Sequence, residues 1–258
     1  KNSRDLGKSN FNRAIEKAEK AIAKHSIKKR PEWTKNRRKT DKDIEWLSRR
    51  EYNPFLWKAW MLMGRSQFHQ GAFEEAAATF AYMSRMYKGQ PAIYGKARAW
   101  LAKCYIEQGW LYDAEHPPVP GEDRPHVLDA EDVIRNMQRD SMDWRAVKEW
   151  DYTYADYYLH TGELAKAVPY LQKVIKHEMR QKQKARELYL LGQVYAALGK
   201  RQDAYEAFQR VIRTNPPYEL EFNARIAQTE VMAEGQSKQM ISKLRHMATS
   251  DNNKEYLD

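Results

Sequence analysis

Apolar residues along this chain fall three and four apart in paired stretches, each pair divided by a glycine. Trp60, Gly64, Gly71, Phe73, Ala76 and Phe80 set out the fullest version, and the same order returns as Leu188, Gly192, Tyr195, Gly199, Ala204 and Phe208. Weaker copies end their first stretch at Gly109 and Gly162. With the second glycine of each copy placed at position 15 of a unit of about 34 residues, Ala76, Ala114, Ala167 and Ala204 all fall at position 20. A helical period on both sides of a turn glycine predicts pairs of antiparallel helices. Gly64 or Gly192 on the first helix and Ala76 or Ala204 on the second are expected where the paired helices come closest, since a larger side chain would push the hairpin apart.

Large apolar residues at 4 and 7, a small one at 8, an aromatic at 11, glycine near 15 and alanine at 20 make up the spacing of the tetratricopeptide repeat, or TPR. The expected fold is therefore all-α, a TPR right-handed α-solenoid of antiparallel helix pairs. Repeats are read at about 57–90, from 95 onward, at 148–181 and at 185–218. The third is the most aromatic: Tyr154 and Tyr158 at positions 7 and 11 are expected in its core. The expected organisation is a partial repeat helix plus basic connector over 1–50, a four-repeat array over 51–235, and the helical end of a divergent repeat over 236–258. Within the first part, residues 11–25 fit the second helix of a repeat, with Phe11, Ala14, Ala18 and Ala21 facing inward. Pro31 ends regular structure, and Thr40 or Asp41 caps a short helix carrying Ile44, Trp46 and Leu47. The second repeat is interrupted by the proline-rich segment 116–131, whose removal restores the register, so it is read as an inserted loop. After Pro216 and Pro217, helices from Glu219 to about Glu234 and from Ser237 to about Met247 form a fifth hairpin.

Composition narrows the function. Few glycines and prolines in 258 residues suit continuous helix, and no apolar run reaches the roughly 20 residues needed to cross a bilayer. Cys104 is the single cysteine, which excludes an internal disulfide, and its place on a first helix reads as a small core residue. The seven histidines make no metal-binding pair of the HExxH kind, and no phosphate loop or nucleophile elbow is present. His116 and His126 lie among acids in the inserted segment but without ligand spacing, so a plain surface loop is preferred. The reading is of a protein that is no enzyme and carries no cofactor, metal or small-molecule substrate.

Charge is uneven. Residues 1–50 hold 17 Lys and Arg against 7 Asp and Glu, while the remainder holds 28 of each, so the whole net charge of +10 is N-terminal. Lys28, Lys29, Arg30, Lys35, Arg37, Arg38 and Lys39 read either as a solvated connector or as a docking segment for an acidic partner. The repeat register also names a groove, because first-helix positions 2, 5, 9, 12 and 13 face inward in such arrays. These are Lys58, Met61, Arg65, Phe68 and His69, then Lys96, Lys103 and Ile106, then Tyr152, Asp156 and His160, then Arg186, Tyr189 and Gln193. Cations mixed with apolar anchors suit an extended or helical peptide bearing carboxylates.

NPFLWKAWMLMG (53–64), GWLYDAE (109–115), QKARELYLLGQVYAALGK (183–200), NPPYELEFNARIAQTE (215–230) and NNKEYLD (252–258) resemble the TPR lipoproteins of Bacteroidota associated with gliding motility and type IX protein secretion. The similarity runs from about residue 25 to the end, and NPPYELEFNARIAQTE is its most specific stretch. The resemblance implies an outer-membrane lipoprotein facing the periplasm, with secretion or envelope proteins as partners and no catalytic residues. It treats this chain as an internal fragment, with membrane attachment only through a lipid anchor outside it. The inserted segment 116–131 departs from the family pattern. The alternative is a cytoplasmic TPR module that binds acidic peptides or nucleic acid through its basic N-terminus. Charge alone supplies salt-sensitive phosphate affinity, and no recognisable RNA-binding motif accompanies it.

Overall fold

A computed structural model describes residues 3–30, 40–109 and 142–232. Among these residues there are ten helices and no strand: α1 (Ser3–His25), α2 (Asp41–Leu47), α3 (Leu56–Gln70), α4 (Phe73–Met86), α5 (Pro91–Glu107), α6 (Val147–His160), α7 (Leu164–His177), α8 (Gln181–Ala197), α9 (Arg201–Arg213) and α10 (Tyr218–Met232). The chain forms two compact units, Lys1–Thr161 and Gly162–Asp258. The inserted segment 116–131, the second helix of the second repeat with Ala114, and the C-terminal end 236–258 lie outside the described residues.

In the first unit α1 packs on α3, α3 on α4, α4 on α5, and α5 on α6. The α1 helix thus occupies the place expected of a repeat's second helix, and Ala18 is its buried contact residue. The α3–α4 pair is the first full hairpin. Its core gathers Met61, Phe68, Ala76, Phe80, Met83, Tyr87, Leu101 and Cys104, with Trp57, Trp60 and Trp100 packed around them. The α6 helix is tied to α5 by polar contacts as well. The Trp150 indole N–H donates to the Gly95 carbonyl at 2.9 Å, and Thr153 Oγ1 donates to the Ala99 carbonyl at 3.2 Å.

In the second unit α7 packs on α8, α8 on α9 and α9 on α10. Ala167, Ala185, Ala204 and Ala224 are fully buried along these contacts. The same steric device serves both units. A Cβ placed on Gly64 would lie 2.6 Å from Phe80 Cζ, and one on Gly192 would lie 2.6 Å from Phe208 Cε1. Position 8 is therefore a glycine in these two repeats because the aromatic at position 24 presses its ring face against the helix backbone. The turn glycines Gly71, Gly109, Gly162 and Gly199 all have positive φ, between 71° and 91°, which closes the first helix in the left-handed conformation that glycine adopts without penalty.

Several boundaries differ from the expectation for local reasons. Pro91 opens α5 at its first turn, where its missing N–H is not needed, so this helix begins before residue 95. The α2 helix spans Asp41–Leu47 as expected, with the Ile44 amide donating to the Thr40 carbonyl at 2.9 Å. Pro169 sits inside α7 and removes one backbone hydrogen bond near the start of that helix. Tyr154 is buried as expected, whereas Tyr158 is only half-buried and stacks on it at 6.4 Å.

Candidate protein-binding surface

Three first helices begin with the same local device. Asn53 Oδ1 accepts from the Phe55 amide at 2.9 Å, Asp143 Oδ1 from the Arg145 amide at 2.9 Å, and Glu178 Oε1 from the Arg180 amide at 2.9 Å. Each side chain satisfies a backbone donor two residues on and sets the chain's approach to α3, α6 and α8. Glu51 does more. Although almost fully buried, it accepts from Ser26 Oγ at 2.6 Å, the Ile27 amide at 2.8 Å and the Asn53 amide at 2.8 Å. One carboxylate therefore fastens the end of α1 to the start of α3.

In the first unit α3 and α5 carry a row of cations resting on aromatic rings. The Arg65 guanidinium lies 5.1 Å from the Trp100 ring centre. Lys103 Nζ lies 4.8 Å from Trp100, 5.7 Å from Phe68 and 5.7 Å from Tyr152. Lys96 Nζ lies 5.8 Å from the Trp57 ring and 3.3 Å from Glu149 Oε1, and Lys58 Nζ lies 5.4 Å from the Phe55 ring. The rings attract the charged ends themselves, and an ammonium or guanidinium resting on a ring face keeps N–H donors directed away from it. At the α6 end His160 Nδ1 lies 2.9 Å from the Asp156 carbonyl and 3.4 Å from its carboxylate. Hydrogen bonding to Asp156 raises the His160 pKa to about 9, so this imidazole is a cation at neutral pH.

Not every residue assigned to the groove lines it. Lys58, Arg65, His69 and His160 are exposed, and Lys96, Lys103, Tyr152 and Asp156 are half-buried. Met61, Phe68 and Ile106 are core residues, Ile106 at 1% exposure, and present nothing to a ligand. The reason for Phe68 is visible: Phe73, His69 and Trp100 all meet its ring edge-on within 5.5 Å. Trp100 and Trp57, which support the cations, were not singled out by the register. In the second unit Arg186 and Gln193 are exposed on α8, and Tyr189 is half-buried against Phe208, ring centres 5.5 Å apart.

Of the basic segment, Lys28, Lys29 and Arg30 are exposed just beyond α1, while Lys35, Arg37, Arg38 and Lys39 lie outside the described residues. Lys28 borders a cleft of about 370 Å³ lined by Ile22, Ser26, Glu51, Trp60, Tyr82 and Met86. Cys104 is buried and burial pushes its thiol up to about 12, so it is a packing residue. Among the described residues no group of three or more His, Cys, Asp or Glu is placed to hold a metal, and no helix is long and apolar enough to cross a membrane.

Family profiles for the tetratricopeptide repeat match residues 42–91 and 185–218. The second match coincides with the fourth repeat as read from the sequence, α8 and α9. No curated protein matches the chain. The two matched stretches, in which a first-helix glycine takes the ring of a second-helix phenylalanine, at 64 against 80 and at 192 against 208, are thus tetratricopeptide repeats, and repeats of this kind imply a scaffold for protein–protein contacts.

Proposed function

We propose that the chain is a non-catalytic TPR scaffold of the bacterial cell envelope, an accessory lipoprotein of the type IX secretion and gliding machinery held at the periplasmic face of the outer membrane by a lipid anchor outside these residues. The compartment and the machinery rest on the resemblance carried by NPPYELEFNARIAQTE and its companion stretches. The mode of binding rests on one observation: Lys58, Arg65, Lys96 and Lys103 stand on aromatic rings along α3 and α5. A carboxylate-bearing segment of an envelope protein, with a few apolar side chains, matches that row in charge and in contact chemistry.

The test is an affinity capture from envelope extract with wild type, Arg65→Glu combined with Lys103→Glu, and Tyr189→Ala, the recovered proteins being identified and quantified. Secretion or envelope components that are depleted by the first variant support the reading. Equal recovery by all three removes the cation row from the binding site. Fractionation of the full-length product tests the compartment, and recovery in the cytosol would favour the alternative of a cytoplasmic module using its basic N-terminus.

A further inference from the structure

A second concentration of positive charge lies away from the cation row, in a cleft of about 320 Å³ between the end of α2 and the α4–α5 turn. One wall is Ser48, Arg49 and Arg50; the other is Arg85, Met86, Lys88, Gly89 and Gln90. The walls are close, since a Cβ on Gly89 would lie 3.6 Å from Ser48 Oγ. Arg50, Arg85 and Lys88 are exposed, and none has an ion pair among the described residues. Arg49 is held by Glu45, Nη2 to Oε1 at 2.8 Å.

Cations in the last turn or just beyond the ends of two helices have an ordinary role in balancing helix dipoles, and its size can be compared with the charge present. Each helix C-terminus is equivalent to about half a negative charge. Two termini and Glu45 therefore offset roughly two of the four cations, leaving about two positive charges at the cleft without compensation among the described residues. From this we infer that the cleft is a second binding site, which takes the carboxylates of an acidic segment of a partner protein. The inference rests on the scaffold reading above.

The dimensions and lining select that occupant. The cleft has about ten times the volume one water molecule takes in the liquid, room for more than one carboxylate. Its cations are divided between two walls, which suits charges spaced along an extended chain. Arginine forks pair with carboxylates in bidentate fashion, and Met86 with the lysine and arginine stems offers apolar contact to a side chain between the acids. Among the lining residues there is no aromatic ring on which a base would stack. Met86 also lines the neighbouring cleft that Lys28 borders, so an acidic segment leaving one cleft meets the exposed Lys28 beside the other.

The probe is a fluorescent peptide rich in glutamate with interspersed leucines, followed by anisotropy with the whole chain at low and at physiological salt. Arg50→Gln combined with Arg85→Gln should weaken binding by about tenfold or more and flatten the salt dependence. Lys176→Gln combined with Lys182→Gln, an equal charge change on α7 and α8, should leave it within about threefold. Circular dichroism of each variant checks that the helices persist. Equal loss in both double variants, or no binding by wild type, overturns the site. So does displacement of the peptide by a single-stranded oligonucleotide of equal charge at lower concentration. Loss on Arg65→Glu with none on the arginine pair assigns the peptide to the cation row, which refutes this cleft while leaving the scaffold reading intact. A failure of the scaffold reading appears separately, as equal recovery in the envelope capture.

Discussion

Adding one methyl group at Gly192 tests the repeat packing most directly. An alanine Cβ there would meet Phe208 Cε1 at 2.6 Å, Cδ1 at 2.8 Å and Cζ at 2.9 Å, where carbon pairs are at ease at about 3.5–4.0 Å. The ring must retreat by roughly 0.9 Å or more, but Phe208 is 1% exposed and Tyr189 packs against it, ring centres 5.5 Å apart. Overpacking of this kind costs about 1–3 kcal/mol, and three simultaneous close contacts put it in the upper half of that range. Against it stands the helix propensity gain of alanine over glycine, about 1 kcal/mol. Gly192→Ala should therefore destabilise the protein by about 1–2 kcal/mol, read as a lower midpoint in urea unfolding followed by circular dichroism. Phe208→Leu in the same background should recover part of the loss, so that the double variant costs less than the two singles together by about 1 kcal/mol. Hydrogen exchange of α8 and α9 amides locates the effect in that hairpin. If Gly192→Ala is neutral or more stable, the ring does not lie on the glycine and the account of position 8 is wrong.

Other outcomes follow from single contacts. Ala204→Leu, at a position with no solvent exposure, should cost about 1–3 kcal/mol by the same overpacking; an unchanged unfolding midpoint would contradict the close α8–α9 approach. Glu51→Ala strips three donors of their acceptor and should cost about 2–4 kcal/mol, with faster exchange at Ile27 and Asn53; Glu51→Gln, which keeps an acceptor oxygen, should lose less. His160, raised to about 9 in the folded chain, contributes stability that is present below its unfolded pKa of about 6.5 and is lost as pH rises through 9. The difference in stability between wild type and His160→Gln should shrink over that window, and a midpoint near 6.5 in an imidazole NMR titration would refute the Asp156 contact. Cys104, buried with its thiol at about 12, should resist thiol reagents at mildly alkaline pH until denaturant is added; prompt labelling of the native protein would show that α5 opens.

The repeat register was legible because each of its marks has a local cause. Turn glycines at 71, 109, 162 and 199 adopt positive φ, a property of the residue type, and helical periodicity follows from which positions are apolar. Small residues at 64, 76, 192 and 204 announced close helix approach, and the fourth repeat's limits coincide with the matched profile. What register alone could not decide is which inward positions remain open. Positions 5 and 12 face the neighbouring first helix as well as the groove, so their exposure depends on the bulk of residues on another helix: Trp100 and Phe73 close over Phe68, while Lys103 projects past the same rings. The reach of Glu51 to Ser26 and Ile27, and the meeting of Arg49 and Arg50 with Arg85 and Lys88, join residues far apart along the chain. Short-range spacing and residue type thus marked out the helices of the matched repeats and their pairing, while the second helix of the second repeat and the helix expected at 237–247 lie outside the described residues. Burial, buried acceptors and converging charge were decided only by the tertiary structure, because they belong to surfaces that exist after separate helices have packed together.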